Sequence, residues 1–430
     1  SQSSHAAKLA SDILPQLLEE IGKSPEPDLA LRQLENFLSK TGARIGFLSL
    51  LKDYPAVRKL LVNLFSLSEF LGNLLSNHPE LLDEIVSPQA LRERTLEELD
   101  AELGGEMNSA RDYEEKLARL RRFQKLELLR IGLKDLAGEL NVQELEERLT
   151  LLAELILNQA YNVSWEEIVA RYGAMDSGKE IKPGLLVLGL GKLGAREMSW
   201  ASDLDLIFIF QGEGKTAALR GKHPIDLREF FIKLCQKIIA TLQAQTPEGF
   251  LYKIDTRLRP SGTYGPLVVN ASSFYEYHKD QARVWEKQSL IKARILIDGA
   301  GIKNEVMSQI AKSVYFGNEP ARLKEEMKKL LLRVRSELAE ETENIYDIKF
   351  GYGGEMELEY ILQYFLLCNG ESHSSVRTGN SWEALDQLKK QGIILKQEHL
   401  ELKESLGLFR RISSRLRIYQ DRPEHLVRLE

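Results

Sequence analysis

The sequence predicts an α+β protein that is mostly α, with a small mixed sheet in the middle third and helical regions on either side. Three observations predict this. From about residue 6 to 170, apolar residues recur at spacings of three and four, as at Leu126, Leu129, Leu133 and Leu136, while β-branched alternation is scarce. Between about 180 and 310, apolar runs of strand length stand beside a helical run. From about Pro320 onward the helical period returns, broken by Gly351-Tyr-Gly-Gly354.

The first region is punctuated at Ser24-Pro25-Glu26-Pro27, Asp53-Tyr54-Pro55, His78-Pro79, Ser87-Pro88 and Gly104-Gly105, where helices are expected to stop or start. With helices of ordinary length that gives about seven. The basic cluster Arg119, Arg121, Arg122, Lys125 and Arg130 lies among acids and reads as a solvated helix face. A polar, glycine-bearing stretch from Arg171 to Lys179 reads as a linker. Next come strand candidates at Leu185–Gly189 and Leu204–Phe210, a helix from Asp226 to about Gln243, and a third strand candidate at Gly249–Thr256. The expected division is a helical region over 1–172, a catalytic domain over 173–318 and a helical domain over 319–430. No internal repeat or low-complexity segment is visible.

At 430 residues and roughly 150 per domain, two or three domains are expected. A formal charge of −6 offers no basic field for nucleic acid or an anionic membrane. Cys235 and Cys368 lie far apart in apolar runs, which suits a reducing compartment and excludes a cysteine-rich zinc site. There is no signal peptide and no apolar stretch of membrane-spanning length, so the expected location is the cytoplasm. The chain begins with Ser1 rather than Met, as a piece of a longer protein would.

The most informative segment runs from Gly189-Leu-Gly-Lys-Leu-Gly194 to Ser202-Asp-Leu-Asp-Leu-Ile-Phe208. Its start satisfies a dinucleotide-binding glycine pattern, but only eight residues separate Gly194 from Asp203, too few for the crossover helix such a unit needs. A Walker motif fails as well, because Leu193 follows Lys192. The spacing instead predicts strand, glycine turn, short helix and a second strand carrying Asp203 and Asp205. On a strand, residues i and i+2 project from one face about 7 Å apart, and two carboxylates there repel by about 2 kcal/mol at an effective dielectric of about 20. A divalent cation such as Mg²⁺ offsets that repulsion, while Leu204, Leu206 and Phe208 bury on the other face.

Asp255, in Lys253-Ile-Asp-Thr-Arg-Leu-Arg-Pro260, is the third acid. Beside the first pair it completes a site for two metals about 3.5–4 Å apart, suited to phosphoryl or nucleotidyl displacement. Backbone N–H groups at Gly191 and Lys192 suit phosphate oxygens, and Arg257 and Arg259 suit a triphosphate's charge, unless they pin the strand end by ion pairs. Trp285, Glu286, Lys292 and Arg294 either shape a nucleotide pocket or pack. Glu357 and Glu359, after the Gly353-Gly354 pair, either approach the site or cap a loop.

These residues resemble the glutamine synthetase adenylyltransferases, two-headed enzymes that add AMP to a tyrosine of glutamine synthetase and remove it. The resemblance rests on Gly189 to Glu197 with Ser202 to Phe208, on Asp255-Thr-Arg-Leu-Arg-Pro-Ser-Gly262, Gly265-Pro-Leu-Val268, Trp285-Glu-Lys-Gln288 and Lys292-Ala-Arg294. It extends to the helical stretch from Thr41-Gly-Ala-Arg44 to Asn77-His-Pro-Glu-Leu-Leu-Asp-Glu84. It implies a nucleotidyltransferase fold of the DNA polymerase β type, with Asp203, Asp205 and Asp255 as catalytic Mg²⁺ ligands. It implies ATP binding by Gly191, Lys192, Ser202, Arg257 and Arg259, glutamine synthetase as partner, and glutamine and a PII signal protein as effectors. With one Asp-x-Asp, the chain resembles a single half. Thr41 to Leu51 and Asp347-Ile-Lys349 through Gln363-Tyr364 resemble the adenylylating half, whereas Lys292-Ala-Arg294 and Glu357 resemble the removing half, which yields ADP by phosphorolysis. The expectation adopted is AMP transfer from ATP; a non-catalytic regulatory module is the alternative from another class.

Overall fold

The three-and-four spacing of leucines produces helices wherever caps and prolines permit them, and the computed structural model is accordingly predominantly helical. It describes residues 2–41, 45–87, 92–175, 183–217, 223–246, 249–420 and 424–429. Gly42, Ala43 and Arg44, Pro88, and the end of the expected linker, within the stretch 176–182, lie outside the described residues. The chain divides into two compact units. One comprises residues 1–149, 246–249 and 414–424; the other comprises 150–245, 250–413 and 425–430.

The first unit is helical. Pro27–Thr41 packs on Pro55–Leu67 and Glu69–Asn77, and Glu69–Asn77 packs on Tyr113–Leu136. The rings of Phe37 and Phe65 lie 5.7 Å apart, tilted by 48°, in a core that also holds fully buried leucines such as Leu51, Leu71 and Leu129. Gly132 permits the close approach of Glu69–Asn77, since a Cβ there would lie 2.5 Å from Leu71 Cδ1. One expected break is absent: Leu96–Ser109 runs through Gly104-Gly105 as one helix. Two glycines cost a helix about 2 kcal/mol relative to alanine, and the Thr95–Glu98 capping box with burial of Leu103 and Met107 offsets this. The basic cluster also departs from a solvated face. Arg121 and Lys125 are buried, and Arg119, Arg122 and Arg130 pair with Glu115, Glu84 and Glu127.

The second unit holds the sheet. Strands β1 (Gly184–Gly189), β2 (Leu204–Gln211), β3 (Ile254–Asp255), β4 (Val268–Asn270) and β5 (Arg294–Asp298) run in the order β3-β2-β1-β5, with β4 also on β2. β1 is antiparallel to both β2 and β5, so no dinucleotide-type parallel crossover exists here. β3 and β4 each run parallel to β2, along successive stretches of it. All six residues of β1 are buried, and helix Leu227–Gln243 covers β2 with Phe230, Phe231, Leu234 and Ile238.

The strand expected over Gly249–Thr256 shrinks to Ile254–Asp255, because the N–H groups of Leu251 and Tyr252 both donate to the Leu242 carbonyl at that helix's end (3.0 and 3.1 Å). Beyond β5 the second unit is again helical, except for an unforeseen two-stranded sheet of β6 (Ile345–Asp347) and β7 (Leu426–Arg428). Cys235 and Cys368 are both free thiols. Among the described residues no helix is long and apolar enough to cross a membrane.

Candidate active site

The site begins where β1 ends. Leu190 leads into the five-residue helix Gly191–Ala195, which Arg196 closes in the left-handed conformation. Gly191 has φ +53°, and a Cβ there would lie 2.2 Å from Asp205 Oδ2. A glycine is therefore the residue that lets the turn rest against that carboxylate. Gly194 is equally confined, with Lys292 O 1.9 Å from an added Cβ.

The short helix is fastened from below by Arg294 of β5, whose guanidinium donates to the carbonyls of Gly194 (3.0 Å) and Leu193 (2.8 Å) and pairs with Glu154. From its residue type and spacing alone, Arg294 is expected either to shape a pocket or to pack. Its work on two helix-terminal carbonyls explains why a cation sits there.

Two of the three predicted acids are paired across neighbouring strands, and the third lies just ahead of β2. Asp205 is half-buried on β2, directly paired in register with Asp255 on β3, and Leu204 N donates to Lys253 O (2.9 Å) to hold that register. Asp203 is exposed just ahead of β2, after a turn in which Ser199 N and Oγ both meet Ser202 Oγ at 3.1 Å. Leu204, Leu206 and Phe208 are fully buried on the other face, as strand alternation requires. Burial pushes the Asp205 carboxyl up to about 6, with repulsion from Asp255 and then Asp203 adding to it, against the attraction of Arg257 and Lys292.

Asp255 is displaced the other way. Arg257 hydrogen-bonds both its oxygens (Nε at 3.0 and 2.8 Å), donates its backbone N–H as well (2.8 Å), and holds the carboxyl below its ordinary range. Among the described residues no group of three or more His, Cys, Asp or Glu stands ready-made around one metal position.

Arg259 faces inward to its own loop. It donates to the carbonyls of Gly265, Thr256 and Thr263 and to the Thr256 hydroxyl, and so clamps residues 256–265. At that loop's tip Tyr264 is fully exposed.

The remaining candidates separate clearly. Glu286 is buried as a cap, accepting from Arg283 N (2.9 Å) and Tyr277 Oη (2.8 Å), and Trp285 lies on the same helix, Val284–Ile291. Glu357 pairs with Arg335 (2.6 Å) and accepts from Gly353 N (3.0 Å), a loop-capping role.

Glu359 and Lys292, by contrast, join a cluster of alternating charge behind the glycine turn. Lys292 meets Glu359 at 2.6 Å and Glu197 at 3.8 Å; Arg410 meets Glu197 at 2.9 Å, Glu355 at 3.1 Å and Glu359 at 3.5 Å; Lys192 lies 3.9 Å from Glu355. The Glu197 carboxylate is fully buried and also accepts from Ser381 N. Sequence reasoning missed Glu197, Glu355 and Arg410, since nothing in local spacing pairs residues this far apart.

The sequence model of the family described as glutamate-ammonia ligase adenylyltransferase matches residues 58–309, and that described as GlnD PII-uridylyltransferase matches 321–430. The chain is 30% identical over 94% of its length to a bifunctional glutamine synthetase adenylyltransferase/adenylyl-removing enzyme from Nitrosococcus oceani. Like-named proteins from Thioalkalivibrio sulfidiphilus and Agrobacterium fabrum are 31% and 32% identical over 95% and 98% of the chain. The chain spans 43%, 43% and 42% of those three relatives, so it corresponds to about one half of each. Matched over more than half its length, the chain belongs to the glutamate-ammonia ligase adenylyltransferase family.

Proposed function

We propose that this chain is a nucleotidyltransferase of the DNA polymerase β type that transfers AMP from ATP to a tyrosine of glutamine synthetase, releasing pyrophosphate, with 173–318 as its catalytic domain. The observation that supports this best is the pairing of Asp205 with Asp255 on neighbouring parallel strands, against a glycine turn that a single Cβ would obstruct.

The residues fit a divalent cation. A half-buried carboxylate raised by two like-charged neighbours is relieved by a cation. The competing Arg257 guanidinium is 75% exposed, so water can take its place as it leaves Asp255. In this reading Asp203, Asp205 and Asp255 hold magnesium, which when bound supplies neutralisation of the phosphates' charge.

The chain's own groups do the rest. Gly191 and Lys192 face the triphosphate, and the Ser199–Ser202 hydroxyl pair keeps the approach to β2 in place. Arg257, on leaving Asp255, becomes available to the departing pyrophosphate, and Asp255 would either help hold the metal that eases ionisation of the phenol or take the phenolic proton itself. The tyrosine oxygen then bonds to the α-phosphorus as the α–β bridge breaks. Arg259 fixes the loop that ends in exposed Tyr264, a surface suited to the acceptor protein rather than to the nucleotide.

The test is incubation of the chain with glutamine synthetase and α-labelled ATP, with and without magnesium. Label on the synthetase, lost with Asp205→Asn by more than the roughly 10- to 100-fold that a supporting residue costs, is the expected result; an unlabelled synthetase overturns it. Lys292-Ala-Arg294 favours the second reading, phosphorolytic removal, which ADP release from adenylylated synthetase and phosphate would reveal. The resemblance of the final region to a PII-uridylyltransferase supports PII protein, with glutamine, as effectors.

A further inference from the structure

The alternating charges behind the glycine turn are far more buried than an exposed ion-pair network. Side chains of Glu197, Arg410 and Glu355 are 0%, 2% and 7% exposed. Groups so buried lose their hydration and persist only where the pairing is well supported. Burial opposes ionisation of Glu355, but the attraction of Arg410 and then Lys192 outweighs it and draws the carboxyl down to about 2.

The cluster is also fastened mechanically. Lys292's backbone runs between Gly194 and Gly379, its Cα 2.8 Å from where a Gly379 Cβ would stand, and Asn380 Nδ2 donates to Ala195 O (3.0 Å). Arg410 binds Glu355, and Glu355 in turn faces Lys192, whose ammonium is also 3.4 Å from Ser199 Oγ. Within this unit, the charge of the cluster that lies on the glycine-turn helix is thus approached by a carboxylate of helix Glu355–Asn369.

We propose that Glu355 is a positioning residue: anchored by Arg410, it fixes the ammonium of Lys192 beside the glycine turn, so that the anionic triphosphate meets a cation already aimed. This rests on the nucleotide reading above and deepens it, because it makes the last helical stretch part of the nucleotide site. A lysine left to its own rotamers is a flexible point charge; a carboxylate held by a buried guanidinium restricts it before ligand arrives.

The experiment is amine-reactive labelling of the full chain, followed at Lys192 by peptide mass spectrometry. In the wild type Lys192 is expected to react roughly five- to tenfold more slowly than exposed Lys253, and more slowly still with Mg-ATP present. Glu355→Gln is expected to raise the Lys192 rate severalfold toward that of Lys253, and Glu355→Asp to fall between the wild type and that variant. In nucleotide turnover, Lys192→Met and Glu355→Gln are each expected to lower kcat/KM for ATP roughly 10- to 100-fold, the double variant falling no further than Lys192→Met alone. A loss of stability without this non-additivity marks a purely structural role.

Equal rates for Lys192 and Lys253 in the wild type overturn the proposal even if no Glu355 variant folds. So do additive losses, or a chain that binds Mg-ATP by calorimetry while Lys192 stays unprotected. If the chain binds no nucleotide but Glu355→Gln still releases Lys192, the nucleotide reading fails and the positioning contact stands.

Discussion

Asp205 and His278 titrate in the same window with opposite effects on stability. Asp205 is raised to about 6 from an ordinary value of 3.8, chiefly by burial and then by Asp255 and Asp203. The folded chain therefore binds its proton more readily than the unfolded chain, and stability falls as pH rises from about 4 to about 6, by at most about 3 kcal/mol. His278 is buried, its ring 4.4 Å from Phe274, with no hydrogen-bond partner for either nitrogen among the described residues, and burial draws it down to about 4 from 6.5. Here the unfolded chain binds the proton more readily, so stability is complete above about 6.5 and falls toward pH 4, again by about 3 kcal/mol. Asp205→Asn is thus expected to raise stability at pH 7 and to steepen the acid-side loss; His278→Leu is expected to flatten it. Denaturant titrations from pH 4 to 7 check both, and parallel pH slopes for the two variants contradict them. The pairing of Asp205 with Asp255 and the buried face of Leu204, Leu206 and Phe208 follow from strand alternation, a local fact, whereas Asp203, expected on the same strand, lies just ahead of it. The roles of Glu197 and Arg410, 213 residues apart, were not legible, since a buried pair is made only by the fold. The carbonyl partners of Arg259 were hidden for the same reason: they depend on how the loop turns.

Among elements, glycine has two opposite meanings here, and the contrast is testable. Gly104 and Gly105 lie in helical conformation with nothing within 4 Å of an added Cβ. Alanine at either is expected to stabilise by about 0.5–1 kcal/mol, through helix propensity and a less flexible unfolded chain. Gly194, also helical, has carbonyls of Lys292 and Gly189 at 1.9 and 2.6 Å from its absent Cβ. Alanine there must push the five-residue helix off β1 and β5, at a cost of about 3 kcal/mol or more. Thermal unfolding of the three variants decides; a stabilised Gly194→Ala would show that the turn is not close-packed. Composition alone reads both glycine sites as breaks, so the long helix through Gly104-Gly105 was hidden by residues whose cost is offset at Leu103 and Met107. Strands β1 and β2 were legible as dense apolar runs, whereas β3 was legible only as a longer strand, because Leu251 and Tyr252 bond to a helix end instead. The pair β6–β7 was invisible: each has three residues and the partners are about 80 apart.

At the scale of the whole chain, neither compact unit is continuous in sequence. Residues 414–424 belong with 1–149, although some 264 residues lie between those two stretches. Three contacts explain the assignment: Ser68 Oγ donates to Ile418 O (2.7 Å), Ile418 is buried, and Arg415 reaches the Asp135 carbonyl and carboxylate (both 3.0 Å). Ser68 also caps helix Glu69–Asn77 through Leu71 N (3.0 Å), so the bond to Ile418 helps hold the capping hydroxyl in place. A domain boundary drawn along the sequence cannot represent such a return, because helix Lys396–Gln420 carries one periodic pattern throughout and its residues divide between the units. Deleting residues 414–430 is therefore expected to act far from the deletion. Loss of buried Ile418 and exposure of its apolar neighbours should destabilise the first unit by about 3 kcal/mol. Hydrogen exchange should quicken in Pro55–Leu67 and Glu69–Asn77, starting at Leu71. Unchanged protection in those two helices would mean that the returning segment lies on the first unit without supporting it.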